Sequence, residues 1–250
     1  DHQLRPDSSR DARMVMETTA RLGLDCVVDT GNVREYAESK KMSIEEAARA
    51  LRYRFLFDLA RRRNAQAVAV GHTADDQVET VLMHFLRGSG LAGLKGMSYR
   101  SIIKMFDVEI PIVRPLLAVA REETVEYCAS HGLNPQHDSS NDSLDFQRNR
   151  IRHTLIPNLE SYNPKLRTAI LRMAQSLKGD YSLLMEALEK PWQESVVAMD
   201  EDFITFDSDL LAGYSLGLQR NLIKHAMQSL SPDVHISFAI LERAANLINS

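Results

Sequence analysis

The stretch from Ala65 to Gly96 restricts the fold of this chain more than any other. Ala65 to Val70 is a short alternating apolar run, read as a buried strand that ends at Gly71. A helix is predicted to start directly after it, with Thr73 and Asp76 at capping-box spacing. At about 100° per residue, His72, Asp75, Asp76 and Glu79 share one stripe, and Val78, Val81, Leu82 and Phe85 the opposite one. The apolar stripe is expected to pack on a sheet. The polar stripe then carries three carboxylates and an imidazole past the carboxyl end of a strand, where ligands of open α/β sheets sit.

The flanking pattern extends this to a doubly wound, mostly parallel α/β sheet. Ser8 to Leu22 reads as a helix stopped by Gly23, and Asp25 to Asp29 as a short strand. Ser43 and Glu46 form a capping box for a helix to about Arg63, with an apolar stripe of Ile44, Ala47, Ala48, Leu51, Phe55 and Leu59. Strand and helix alternating in this rhythm make right-handed βαβ units. Arg100 to Met105 and Val108 to Val113 fit an antiparallel pair, in which Pro111 assigns the second run to an edge. A helix follows from Arg121 to His131, then a polar loop from Asn134 to Asp142. A basic helix from Asp145 should end before Pro157. Pro164 to about Ala198 reads as long and helical, which places a catalytic domain in residues 1–160 and a smaller, mainly helical domain in 161–250.

Composition narrows the class. At 250 residues and 44% hydrophobic, the chain can build one full core and a smaller second one. It has no apolar run of about 18 residues, so no membrane partner is expected. Asp1 to Pro6 does not read as a signal peptide, and without a Met the chain is expected to start inside a structural element. Cys26 and Cys128 match no metal spacing and are expected to be buried small side chains in a reducing cytoplasm. The net charge is −4, but Asp180 to Asp209 holds nine acids against one lysine, which leaves +4 elsewhere. A basic catalytic part with an acidic segment is compatible with a local RNA footprint.

Three groups could carry chemistry. The acids after Gly71 suit Mg²⁺ brought in with nucleotide phosphates, although acids in a first turn also simply complement the helix dipole. Arg148 and Arg152 lie one turn apart with Asn149 beside them, a pair able to clamp a phosphate or to form a solvated basic face. Arg49 and Arg52 have the same two readings, since Glu45 stands four residues before Arg49. The glycines from Gly88 to Gly96 do not follow P-loop spacing, and Gly88 reads as a helix C′ residue.

Taken together these pieces resemble a known family. S-I-E-E-A-A-R-A-L-R-Y-R-F-L (Ser43 to Leu56), G-H-T-A-D-D-Q-V-E-T-V-L-M-H-F-L-R-G-S-G-L-A-G-L (Gly71 to Leu94), R-P-L-L (Arg114 to Leu117) and R-N-R-I-R-H-T-L-I-P-N-L-E (Arg148 to Glu160) are similar, in order and spacing, to the tRNA(Ile)-lysidine synthases. The opening D-H-Q-L-R-P-D-S-S resembles the segment ending that family's second strand. The resemblance implies an N-type ATP-pyrophosphatase (PP-loop) fold and a ligase using ATP and Mg²⁺. Its reaction joins L-lysine to C2 of the wobble cytidine of a tRNA(Ile) with a CAU anticodon, through an adenylated cytidine.

Carried over, Asp75 and Asp76 would hold Mg²⁺ or the lysine ammonium, and His72 and Glu79 would shape that pocket. Arg148 and Arg152 would neutralise phosphate charge with Asn149 orienting them, and Arg49 and Arg52 would contact ATP or the base. The same resemblance places the protein in the cytoplasm and carries a homodimer as an expectation. The family's S-G-G-x-D-S phosphate loop does not occur in this sequence, so the 250 residues alone are expected to bind ATP poorly. Calorimetric titration tests that.

Two tRNA-thiolating relatives of the fold are alternatives, but one needs a C-x-x-C cluster and the other two catalytic cysteines. A non-catalytic RNA-binding remnant predicts steeply salt-dependent binding without lysine or ATP dependence. A metal-dependent phosphohydrolase using His72, Asp75 and Asp76 would need further ligands in a matching motif.

Overall fold

The computed structural model describes residues 1–2, 4, 8–103, 106–107, 109–133, 135, 143–231 and 236–248. By packing, the chain divides into two compact units, residues 1–73 with 98–143 and residues 74–97 with 144–250. Residues 74–97 and 144–160, expected to belong with the catalytic domain, are thus grouped with the C-terminal helices.

The first unit contains α1 (Ser8–Arg21), α2 (Val33–Lys40), α3 (Ile44–Arg62), β1 (Val68–Ala69), β2 (Arg100–Ser101), β3 (Ile112–Val113) and α6 (Arg121–Ser130). The capping box forms as the sequence predicts. Ser43 Oγ accepts the Glu46 N–H at 3.2 Å and the Glu46 carboxylate accepts the Ser43 N–H at 3.0 Å. Helix α2 was not among the expected elements. Its signal was present in Asn32, whose side chain accepts the Glu35 N–H at 3.2 Å.

The apolar stripe of α3 divides between two cores. Ala47 and Ala48 pack with Val33 and Ala37 of α2, while Tyr53, Phe57 and Ala60 pack with Val68 and Ile112 of the sheet. Full burial of side chains such as Phe57 and Ile112 contributes about 1.5–3 kcal/mol each. The Phe106 ring adds contacts to Tyr53 and Phe57 at 5.4 and 6.0 Å between centroids. Ile44, assigned to the core stripe, is 36% exposed.

The sheet has the order β1-β3-β2, with β1 and β3 parallel and β2 antiparallel to β3. The antiparallel pair is where the sequence puts it, but β3 is central and not an edge. Pro111 is tolerated because it precedes the strand, where only its carbonyl is needed, and that carbonyl accepts the Val68 N–H at 2.9 Å. Asp25 to Asp29 is not a ladder strand. Cys26 and Cys128 are half-buried free thiols and not core residues. Of the loop expected over 134–142, only residue 135 lies among the described residues.

The second unit contains α4 (Ala74–Leu86), α5 (Leu91–Leu94), α7 (Gln147–Arg150), a π turn (Ile151–Leu155), α8 (Ile156–Tyr162), α9 (Leu166–Ser195), β4 (Val196–Met199), β5 (Ile204–Phe206), α10 (Ser208–Gly213), α11 (Leu216–Leu230) and α12 (Phe238–Ile248). Val78, Val81 and Leu82 of α4 pack against Ile151, Ile156, Ile170 and Ala174. Phe85, placed on the same stripe, is 65% exposed at the helix end.

The basic helix does not stop before Pro157. One π turn accommodates an extra residue, the Ile156 N–H bonds to the Ile151 carbonyl, and α8 starts afresh. In the first turn of α8 the missing proline N–H has no role to lose. The long helix ends at Ser195, and the antiparallel β4–β5 hairpin replaces the last predicted helical residues. The second core gathers Leu188, Leu211 and Leu222, with Trp192 and Phe206 edge to face at 5.6 Å. No helix among the described residues is long and apolar enough to cross a membrane.

Candidate active site

Helix α4 presents a buried carboxylate, and two arginines from a later segment close on it. Glu79 is fully buried. Its Oε2 accepts Arg148 Nε at 2.6 Å, and its Oε1 accepts Arg152 Nε at 2.6 Å. Arg152 Nη2 also donates to Glu79 Oε2 at 3.1 Å. Asp76, one turn before, adds a second acceptor, with Oδ1 at 3.0 Å from Arg148 Nη2 and 3.5 Å from Arg152 Nη2. A carboxylate can lose its water in this way only because charged donors replace it on both oxygens.

Asp75 pairs elsewhere. Its Oδ1 takes Arg167 Nη1 of α9 at 2.5 Å, and Arg167 Nε reaches Glu160 of α8 at 2.8 Å. Four carboxylates therefore meet three guanidiniums, which leaves this network one negative charge short of neutrality. Burial alone would lower the Arg152 pKa, but the Glu79 hydrogen bonds and the charges of Glu79, Asp76 and Asp75 outweigh it and raise the value. Arg152 is a fixed cation.

These contacts revise the sequence picture of Arg148 and Arg152. They do not form a bare phosphate clamp, because their Nε edges are committed to Glu79. Their Nη1 groups take no part in these bonds and remain the edge for an incoming oxyanion. Asn149, between them, is buried at 7% exposure. Arg87 Nη2 donates to Gln147 Oε1 at 3.1 Å and ties the end of α4 to the start of α7.

The glycine-rich segment turns tightly beneath α4. Gln77 acts as a clamp on it: its amide donates to the Met97 carbonyl at 3.0 Å and accepts the Met97 N–H at 2.7 Å. Gly96 must be glycine here. Its φ is +65°, and a Cβ would lie 2.6 Å from the Gln77 amide nitrogen.

His72, Arg49 and Arg52 belong to the first unit, and the acids and Arg148, Arg152 and Asn149 to the second. His72 is half-buried. Arg49 and Arg52 are exposed on α3, with the Arg49 guanidinium 4.7 Å above the Tyr53 ring. Arg49 lines a cavity of about 1020 Å³ together with Lys40, Arg54 and Arg61.

Among the described residues, no group of three or more His, Cys, Asp or Glu side chains could hold a metal unaided. Mg²⁺ commonly takes only one or two carboxylates and completes its shell with phosphate oxygens and water. Asp75 and Asp76, hard donors at the start of α4, fit that role. Arg167 and Glu160, which anchor Asp75, were not foreseen. The i+7 spacing that brings them together crosses a helix break and has no periodic signature.

Comparison with known proteins follows the same outline. The PP-loop domain family (ATP_bind_3) matches residues 1–159. A tRNA(Ile)-lysidine synthase of Dehalococcoides mccartyi is 36% identical over 92% of this chain and 49% of its own length. One from a Nostoc species is 30% identical over 100% of this chain and 73% of its own. The chain thus spans about half the length of several curated relatives it matches. A solved U34-tRNA thiolase from Methanococcus maripaludis superposes with a TM-score of 0.52 at 18% identity, over 68% of this chain and 56% of that one. That likeness is one of fold.

Proposed function

This chain belongs to the PP-loop domain family, among the tRNA(Ile)-lysidine synthases, and from that premise we propose that the protein ligates L-lysine to C2 of the wobble cytidine of a tRNA(Ile) with a CAU anticodon. Residues 1–160 handle ATP in this reading and 161–250 contact the tRNA. The work is done in the cytoplasm.

The reaction has two displacements. The C2 oxygen of the base attacks the α-phosphorus of ATP, and pyrophosphate leaves. The amino group of lysine then attacks C2, and AMP leaves with that oxygen. Both steps spread negative charge over phosphoryl oxygens, so fixed cations in a water-poor site favour them. Mg²⁺, when bound, supplies part of that neutralisation. The wobble base is single-stranded and enters without melting a duplex.

The observation that carries this reading is the seating of Arg148 and Arg152 on one buried carboxylate. Glu79 holds both guanidiniums side by side before substrate arrives, so no reorganisation is needed when charge develops. Their free Nη1 groups receive the phosphoryl oxygens, and Asn149 keeps the helix turn between them in place. Asp75 and Asp76 hold Mg²⁺ or the lysine ammonium, consistent with the residual negative charge of the network. His72 shapes the pocket, and Arg49 and Arg52 contact ATP or the base.

The test is incubation of the full-length protein with ATP, radiolabelled lysine and tRNA(Ile) bearing CAU. Label is expected in RNA only when ATP is present, and not with Asp76→Ala or Arg148→Ala. Undiminished labelling by either variant would refute the assigned roles.

A further inference from the structure

Arg114 follows directly after Val113, at the carboxyl end of β3, the strand that runs parallel to β1. It is 5% exposed, yet among the described residues no carboxylate pairs with it. Its Nη1 donates to the Ser98 carbonyl at 2.7 Å and to Ser101 Oγ at 2.9 Å, and both acceptors are neutral. Its Nε is sealed from solvent without a hydrogen-bond partner. Nη2 makes no hydrogen bond either, but is not among the sealed atoms, so this corner of the guanidinium reaches solvent.

A buried cation without a counter-charge is costly, and neutral acceptors on one nitrogen do not offset it. The neighbourhood adds to the cost. Burial first, and then the charge of Arg49, hold the Arg114 pKa below the ordinary arginine value despite the opposing influence of Tyr53. Arg49 itself has a ring contact with Tyr53 and no ion pair among the described residues. Two arginines of one unit therefore stand close together with nothing negative between them. Groups kept in this condition in a fold await a charge that arrives from outside.

We propose that the Nε–Nη2 edge of Arg114, supported by Arg49, receives a phosphate group of the substrates: a phosphoryl group of ATP or a phosphodiester of the tRNA. This rests on the ligase reading above. The fork of two parallel N–H donors fits two oxygens of one oxyanion. Two uncompensated positive charges suit phosphate better than the single charge of the lysine carboxylate. The carboxyl end of parallel strands is also where ligands of such sheets bind.

The experiment uses the full-length protein and its Arg114→Lys and Arg114→Gln variants. Lysine keeps the charge and a donor to Ser98 but loses the fork, and glutamine loses both charge and fork. Thermal unfolding comes first. A counter-charged structural arginine would lose much stability on either change, whereas both variants are expected to unfold close to the parent.

Calorimetry then measures ATP binding, and a fluorescent anticodon stem-loop RNA measures nucleic-acid binding. A loss of about tenfold or more for ATP alone locates a nucleotide phosphate at Arg114. The same loss for the RNA alone, with a shallower salt dependence, locates a phosphodiester there. Unchanged affinity for both, a defect confined to lysine, or marked unfolding of both variants overturns the proposal. Because these are binding measurements, failure of the parent protein to label tRNA with lysine would be seen separately and would count against the ligase reading.

Discussion

Replacing Glu79 by Gln removes one negative charge and leaves two guanidiniums facing an amide. Gln still offers one acceptor oxygen, but its NH₂ group now opposes a donor. Breaking a buried ion pair by removing one partner costs about 3–5 kcal/mol. Two observations put this case at the low end. Arg148 and Arg152 keep 28% and 19% side-chain exposure, and Asp76 remains at 3.0 and 3.5 Å from them. The expected destabilisation is therefore about 3 kcal/mol, or roughly 6–12 °C in Tm for a chain of this size. Thermal unfolding followed by circular dichroism, with urea titration as a second measure, reads it directly. The double variant Glu79→Gln/Arg152→Met should be at least about 1 kcal/mol more stable than the sum of the single effects, because it also removes a stranded charge. A Glu79→Gln loss under about 1 kcal/mol, typical of a solvated surface pair, would refute the claim that this carboxylate is a desolvated anchor.

Asp75→Asn cuts one contact to a partly exposed Arg167, so stability should fall by no more than about 1 kcal/mol while lysine incorporation into tRNA drops far more steeply. Gly96→Ala forces a side chain into a left-handed backbone and against the Gln77 amide, and should cost about 1–3 kcal/mol in urea unfolding. Asp107 is held below the ordinary carboxylate range by the Ile110 and Glu109 N–H groups and then by Arg61. A depressed folded value stabilises the native state above the unfolded value of about 3.9 and is lost as pH falls through the folded one. Asp107→Asn should therefore lower Tm at neutral pH and converge with the parent in strong acid.

The parts of this molecule that could be read from the residues are those governed by local rules. The Ser43 capping box, the strand before Gly71 and the helix after it obey periodicities that act within one or two turns. The candidate acids and arginines were visible as well, because Asp76 and Glu79 share a helix face, and Arg148 and Arg152 lie four residues apart. What they do to one another was not. Glu79 is buried because partners some seventy positions away happen to supply two Nε donors, a long-range fact with no local trace. The same holds for Arg167 on Asp75, and for β3 sitting in the centre of its sheet despite Pro111. Arg114 stood in a recognisable R-P-L-L string, but only its missing counter-ion gives it a role.

The π turn at Ile151–Leu155 has a consequence for how this segment tolerates length changes. Ile151 and Ile156 face the same core although five positions separate them, an interval that an unbroken α-helix would place on well-separated faces. Deleting a single amino acid there would look harmless on paper, since it restores ordinary helical geometry. It would nonetheless twist everything downstream by roughly 100°, swinging Ile156 out of its socket and taking Glu160 away from Arg167. The spare residue behaves as a timing mark for the whole C-terminal half, and substitutions within it should be far better accepted than its loss.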